Sequence, residues 1–150
     1  MESDNPHFQW AMMTNAQGAP EAIAWAMIEM RRDLLRFHDS LFIDMRKTVT
    51  NNLGWNYFGP TVKDGDMKVR VVAECLCCVE DQDMYAWVLR KLECFEPDYS
   101  LKQTRFIFAD NLVTEELLHM LGINQTCQLR ADSHHCLHED WPKLFGDRLW

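Results

Sequence analysis

The sequence predicts an α/β fold, a mixed β-sheet that starts as a three-strand antiparallel meander and continues as βα units. Two observations predict it. Between residues 41 and 79, apolar and aromatic runs are separated by short turn signals, whereas from residue 80 onward helix-like and strand-like patterns alternate. The composition of the 150 residues, 47% hydrophobic and 25% charged, is typical of one globular domain rather than a disordered chain.

An arm and one helix are predicted to precede the sheet. Residues 1–19 show little periodicity and contain several Asn and Gln residues, so we expect a flexible arm. Residues 20–40 are expected to form a leading helix, because proline suits a first helical turn and apolar residues then recur every three or four positions. These apolar residues are Ile23, Met27, Met30, Leu34 and Phe37.

The remaining residues, 41–150, are assigned to one domain that contains the sheet. The predicted strands are 41–45, 55–62, 67–79, 105–109 and 126–130. Gly59-Pro60 interrupts the second strand, and Lys-Asp-Gly-Asp at 63–66 is a hairpin signal. The predicted helices are 80–94, 114–121 and 134–144. Helices are expected on both faces of the sheet.

The net charge and the cysteine content limit the classes of binding partner and the cellular compartment that are expected for this chain. The 15 basic and 23 acidic residues give a net charge of -8, whereas a self-sufficient nucleic-acid-binding domain is normally basic. Contact with DNA would therefore need metal ions or other segments to offset this charge. No apolar run reaches the roughly 18 residues that span a bilayer, so no membrane partner is expected. Three of the six cysteines lie within residues 75–78 and no secretory signal is recognised, so we expect reduced thiols in an intracellular compartment.

Two aspartates stand out because apolar strands surround them. Asp44 lies inside the run 41–45, where an unpaired charge is costly, and Asp110 stands at the exit of the run 105–109. Carboxylates on neighbouring strands repel each other unless a cation lies between them, and hard oxygen ligands suit Mg²⁺ or Mn²⁺. The alternative is structural, with Asp44 paired to a basic residue and Asp110 capping the next helix.

The order β-β-β-α-β-α-β, with acids in the first and fourth strands, is the ribonuclease-H-like arrangement. Residues 41–146 also contain several short segments whose order and spacing are informative, although no one segment is informative alone. The segments are Leu-Phe-Ile-Asp-Met-Arg-Lys at 41–47, Thr-Asn at 50–51, Gly-Trp at 54–55, Tyr-Phe-Gly-Pro at 57–60, the run 69–81 ending in Val-Glu-Asp, Tyr-Ala-Trp-Val-Leu at 85–89, and Phe-Ile-Phe-Ala-Asp at 106–110 with Leu-Leu at 117–118. Through the order and spacing of these segments, residues 41–146 resemble the Mutator-like (MULE) branch of the DDE transposases.

The resemblance implies a nuclear enzyme that cuts and joins DNA. It implies that Asp44 and Asp110 are catalytic residues that hold Mg²⁺ or Mn²⁺, and that His135 acts near the phosphate or orders the metal site. The family shows Cys-x-x-His after the second aspartate, whereas here Asp132 takes the cysteine position if His135 is the histidine. The third carboxylate should follow a long helical insertion, yet the sequence reaches Trp150 before it. We therefore expect a truncated, incomplete ribonuclease-H-like domain that is inactive or weak alone.

Two further functions stay open from the sequence. A transposon-derived interaction or structural domain would bind no metal at Asp44 and Asp110. A small zinc-binding module would use a cluster of potential ligands near the end of the sequence, although their spacing matches no strong zinc motif and His135 also suits a surface or helix-capping position. These ligands are Cys127, Asp132, His134, His135, Cys136 and His138. A homo-oligomer is compatible with each of these functions.

Overall fold

The computed structural model describes residues 5–46, 54–109 and 113–131. Within these ranges the architecture is mixed α/β, as the sequence predicts. The strands are β1 (Phe8–Thr14), β2 (Pro20–Met27), β3 (Ser40–Phe42), β4 (Met45–Arg46), β5 (Asn56–Phe58), β6 (Thr61–Lys63), β7 (Val69–Val71), β8 (Glu74–Cys77), β9 (Phe106–Ala109) and β10 (Gln128–Ala131). The helices are α1 (Ile28–Phe37), α2 (Gln82–Phe95) and α3 (Glu115–Leu121), with a 3-10 turn at Leu101–Gln103.

The described strands form two five-stranded sheets. The first sheet has the order β1-β2-β8-β5-β4 and is antiparallel throughout. The second sheet has the order β10-β9-β3-β6-β7, in which β3, β9 and β10 run parallel while β6 and β7 pair antiparallel. Three predicted strands are each divided in two, as β3 and β4, β5 and β6, and β7 and β8. Each of these three segments therefore contributes to both sheets.

One side of each sheet faces the helices and forms a single core. Alternate strand residues such as Leu41 and Ile107 are buried there together with Leu34 of α1, Leu89 of α2 and Leu117 of α3. Since the buried residues of all three described helices belong to this core, the second helical layer that we expected is not seen in the described ranges. The predicted helix 134–144 lies outside them.

The predicted helices 80–94 and 114–121 are present as α2 and α3. Asp81 caps α2, because its carboxylate accepts a hydrogen bond of 2.8 Å from the backbone N–H of Met84. Gly122 ends α3 in the left-handed conformation, with φ of 70°, which a residue with a side chain rarely adopts. None of the described helices is both long and apolar enough to cross a membrane.

The prediction of a flexible arm over residues 1–19 is wrong for the described part of that segment. β1 pairs with β2 along its whole length, and a turn at residues 15–18 joins the two strands. The Asn15 side chain accepts backbone N–H groups within this turn, and Gly18 adopts a φ of 82°. The turn residues are typical of a hairpin, but the apolar alternation on either side of them is too weak to be recognised alone.

The leading helix predicted over residues 20–40 is correct only from Ile28 to Phe37, since Pro20–Met27 forms β2. The helical spacing of the larger apolar residues competes with a period of two in the alanines. Ala22, Ala24 and Ala26 are all buried against the helical layer, and β2 is held between β1 and β8. Tertiary pairing therefore overrides the helix propensity of alanine.

An ion pair joins α1 to the end of α2. The Nε atom of Arg31 lies 3.1 Å from Oε2 of Glu96, and the two side chains are only 16% and 8% exposed. Arg31 also donates through Nη1 to the carbonyl oxygen of Pro6 at 2.8 Å. Because both charges lie largely out of water, each one depends on the other for its stability.

Candidate functional site

The side of the two sheets that points away from the helices carries the candidate site, and we call it the outer face. Its residues alternate with those of the core and are half-buried or exposed. Cross-strand pairing aligns them in two rows, one for each sheet. The first row is Met12, Ile23, Leu76, Tyr57 and Arg46, and the second is Arg130, Phe108, Phe42, Thr61 and Val71.

Asp44 lies on the outer face, in the short gap between β3 and β4. Its side chain is half-buried and lines a cavity of about 410 Å³. Tyr57, Thr61 and Arg46 line the same cavity, and Phe42 and Phe108 form its apolar wall. The site therefore combines a carboxylate, a guanidinium group and two hydroxyl groups, which can bind a hydrated cation or a phosphate.

A hydrogen-bonded network lies beside this cavity and centres on Glu74. Nε1 of Trp25 donates to one carboxylate oxygen of Glu74 at 2.9 Å, and the Tyr57 hydroxyl donates to the other at 3.0 Å. Burial, the hydrogen bond to Glu74 and the negative charge of Glu74 together raise the pKa of Tyr57 to about 12, while the nearby Arg46 guanidinium opposes the shift. The network holds the phenol neutral at the cavity wall.

Gly59 allows the Tyr57 ring to lie close against the backbone at position 59. A Cβ atom at position 59 would lie 2.7 Å from Oη of Tyr57 and 3.0 Å from its Cε1 atom. Any other residue there would push the ring aside and disturb its hydrogen bond to Glu74. The interruption that Gly59-Pro60 makes in the predicted strand therefore has a packing role in this cavity.

Tyr57 is expected to ionise near pH 12 instead of near 10. Because its folded-state pKa is raised, its contribution to stability is fully present below pH 10 and is lost as the pH rises through 12. Glu74→Gln should bring the pKa back toward 10, since it removes the negative charge that opposes ionisation. Ultraviolet absorbance of the phenolate, assigned through a Tyr57→Phe difference titration, measures this. Glu29→Gln, an exposed change on α1, is the matched control, and a wild-type Tyr57 pKa near 10 would contradict the network.

Of the three predicted catalytic residues, the structure describes Asp44. Asp110 and His135 lie outside the described residues, so their distances from Asp44 are not part of this structure. Within the described ranges no three His, Cys, Asp or Glu side chains are grouped so that they could hold a metal ion. Glu74 and Tyr57 are the neighbours of the site that sequence reasoning missed. The available signal was Glu74, the one charged residue of the apolar run 71–79.

The cysteines follow the alternation that the sequence predicts for a strand. Cys75 and Cys77 are buried on the core side, whereas Cys78 is exposed. A hydrogen bond with Cys77 and burial raise the pKa of the Cys75 thiol above its ordinary value. Burial likewise raises the pKa of Cys127 to about 11. The thiols of Cys75, Cys77 and Cys127 pack in the core. The other five members of the predicted zinc cluster lie outside the described residues.

Comparison of the chain with protein-family models, curated proteins and solved structures finds no match in any of the three. The features of the chain that bear on its function are the position of Asp44 on the outer face, the parallel pairing of β3 with β9, and the cavity that Asp44 lines.

Proposed function

We propose that this chain carries the core of a metal-dependent nuclease of the ribonuclease-H-like type, related to the Mutator-like transposases, with DNA as its substrate. Asp44 and Asp110 are the proposed metal-holding residues, and Mg²⁺ or Mn²⁺ the proposed ion. The single observation that carries the proposal is the position of Asp44. It extends the strand that lies at the centre of the second sheet, and it lines an open cavity on the outer face.

The order and directions of the strands support the fold part of this proposal. β3 is central, with β9 and then β10 parallel on one side and β6 and then β7 antiparallel on the other. A three-strand meander followed by two parallel strands, each reached through a helix, has the chain order expected for a ribonuclease-H-like sheet. The β1–β2 hairpin is an addition at the far edge of the first sheet.

The register between β3 and β9 supports the site. The parallel pairs are Ser40–Phe106, Leu41–Ile107 and Phe42–Phe108, and the N–H of Ile43 donates to the carbonyl oxygen of Phe108 at 2.9 Å. Carrying this register two residues further would set position 44 opposite position 110, on strands that lie roughly 4.8 Å apart. Asp110 lies outside the described residues, so this extrapolation is part of the proposal.

The donors of the cavity fit a hard divalent cation. The Asp44 carboxylate is half-buried in an open cavity, and the Thr61 hydroxyl lines the same space. A pair of such ions, when bound, activates water and stabilises the leaving oxygen of a phosphodiester. The Arg46 guanidinium lines the same cavity and suits a contact with a DNA phosphate. Two carboxylates hold the ion weakly and the net charge of -8 opposes DNA, so we expect this chain alone to be inactive or very weak as a nuclease.

Mn²⁺ is expected to bind at Asp44 and to broaden the NMR signals of nearby residues on β3, β4 and β6. Asp44→Asn should weaken this binding at least about tenfold, since it removes an anionic oxygen ligand. Asp110→Asn should do the same if the two residues share the ion. Magnesium-dependent nicking of DNA, measured in parallel, should be very weak or absent in the wild type and absent in both variants.

Asp66→Asn is the matched control, because Asp66 is an exposed aspartate in the turn between β6 and β7. It should change neither Mn²⁺ binding nor nicking. Broadening that is centred elsewhere, or that survives Asp44→Asn unchanged, would contradict the metal site and favour a non-catalytic interaction domain. Stoichiometric zinc by elemental analysis, with unfolding on chelation, would instead favour the zinc-binding module.

A further inference from the structure

A second and larger cavity opens on the outer face next to that of Asp44. Its volume is about 570 Å³, within the range of roughly 300–1,000 Å³ that is typical of small-molecule sites. It lies between the end of α1, the start of β3 and the turn that joins β6 to β7. The proposed nuclease site does not use this space.

Phenylalanine rings form the apolar wall of this cavity. The Phe42 and Phe108 rings stack with their centroids 4.6 Å apart and their planes only 9° from parallel, and Phe37 lines another side. Phe42 and Phe108 are half-buried although they stand in the middle of a sheet, so they are partly open to a ligand. Parallel aromatic rings of this kind suit the stacking of a planar heterocycle.

Two cationic side chains line the same cavity, and each lies over an aromatic ring. Nζ of Lys63 lies 4.6 Å from the centroid of Phe42, and the guanidinium carbon of Arg36 lies 5.5 Å from that of Phe37. The Asp64 carboxylate also lines the cavity, but it binds the backbone N–H groups of its own turn and pairs with Arg70 at 2.9 Å. Asp39 is the other carboxylate that lines the cavity, and Lys63 and Arg36 together outweigh its single charge, so an anionic group is favoured beside the two cations.

We propose that this cavity binds a nucleotide unit, with the base stacked on the Phe42–Phe108 pair in the place that the Lys63 side chain now covers, and with the phosphate held by Arg36 and by Lys63 turned outward from the ring. Asp39 and Ser40 line the cavity as well and supply a hydrogen-bond acceptor and a hydroxyl for the base edge or the sugar. The ligand is a free mononucleotide or one nucleotide of an unpaired strand, because both present the same base and phosphate.

The Phe42–Phe108 pair also lines the Asp44 cavity, so the two cavities share a wall. An unpaired strand with one nucleotide in the larger cavity would pass over this wall toward Asp44. That path depends on the proposed nuclease function. Binding of a nucleotide in the larger cavity does not depend on it, since it requires neither Asp44 nor a divalent ion.

Titration of the full chain with adenosine 5′-monophosphate in buffer that contains a chelator tests the proposal by NMR. We expect shifts at residues 36–42, 63–67 and 108, and binding of adenosine that is several-fold weaker. Lys63→Gln should weaken binding of the monophosphate about fivefold or more by removing the phosphate contact. Phe42→Leu should do so by removing the stacking ring while keeping an apolar side chain. Asp44→Asn should leave the affinity unchanged, which separates this site from the proposed metal site.

Lys91→Gln is the matched control, because Lys91 also lies over an aromatic ring, that of Trp87, but on α2 and not at this cavity. A single-stranded octadeoxyadenylate that binds at least tenfold tighter than the monophosphate would identify a nucleic-acid strand as the source, and equal affinities would identify a free nucleotide. Shifts that lie only outside the cavity, or a Lys63→Gln chain that binds like Lys91→Gln, would overturn the proposal.

Discussion

Truncation of Phe58 to alanine is expected to lower the free energy of unfolding by about 4 kcal/mol. The Phe58 side chain is fully buried in β5, between Met45 of β4 and Cys75 of β8. Its ring also meets Tyr85 of α2 edge to face, with 5.0 Å between the centroids. The ring thus packs the first sheet against its helix, and its loss leaves a cavity that neither layer can close easily. Urea denaturation monitored by circular dichroism measures the change.

The matched control removes the same ring from a more exposed strand position. Phe8, in β1, is 39% exposed, so Phe8→Ala is expected to cost about 1 kcal/mol or less. A double-mutant cycle with Tyr85→Leu should give a coupling of about 0.5–1.5 kcal/mol for the aromatic pair. Equal losses for Phe58→Ala and Phe8→Ala would show that Phe58 does not support the core as described.

Replacement of Arg31 by methionine is expected to lower the free energy of unfolding by about 3 kcal/mol. The variant leaves the Glu96 carboxylate, which is only 8% exposed, without the guanidinium that lies 3.1 Å away. It also removes the hydrogen bond to the carbonyl oxygen of Pro6, which ties the segment before β1 to α1. The same denaturation measurement applies at neutral pH.

Two further variants separate the charge effect from simple loss of a side chain. Arg31→Met combined with Glu96→Met should recover most of the lost stability, because no uncompensated charge is then buried. Lys68→Met breaks the exposed pair with Asp66 and is expected to change stability by less than about 1 kcal/mol. A double variant that is no more stable than Arg31→Met alone would contradict this explanation.

The sequence predicts those elements that its local pattern specifies strongly. The helix α2 has a clear apolar stripe and an aspartate cap, and the turn at 63–66 has the composition of a hairpin. The strand β9 is a short apolar run with an aspartate at its end. The β1–β2 hairpin could not be predicted in this way, because its buried face consists of alanines, whose small size reflects packing against the helical layer.

The site is predictable only in part, for a related reason. Asp44 is recognisable as a carboxylate inside an apolar strand, and the structure places it on the outer face. The link between Tyr57 and Glu74 arises because β5 lies beside β8, which depends on pairing across 17 residues of chain. Likewise, the cavity between Phe42, Phe108 and Lys63 gathers residues from β3, β9 and β6. Such neighbours are set by the topology and leave no local signal.

The β1–β2 hairpin has a consequence for any shortened form of the chain. β2 covers one side of β8 and receives its backbone hydrogen bonds, with Ala24 opposite Cys75 and Ala22 opposite Cys77. A chain that began after Met27 would leave β8 paired only with β5, as an exposed edge strand, and such edges readily recruit strands from other molecules. It would also open the way for oxidants to reach the Cys75 and Cys77 sulfur atoms. We expect such a chain to self-associate and to form intermolecular disulfides in air.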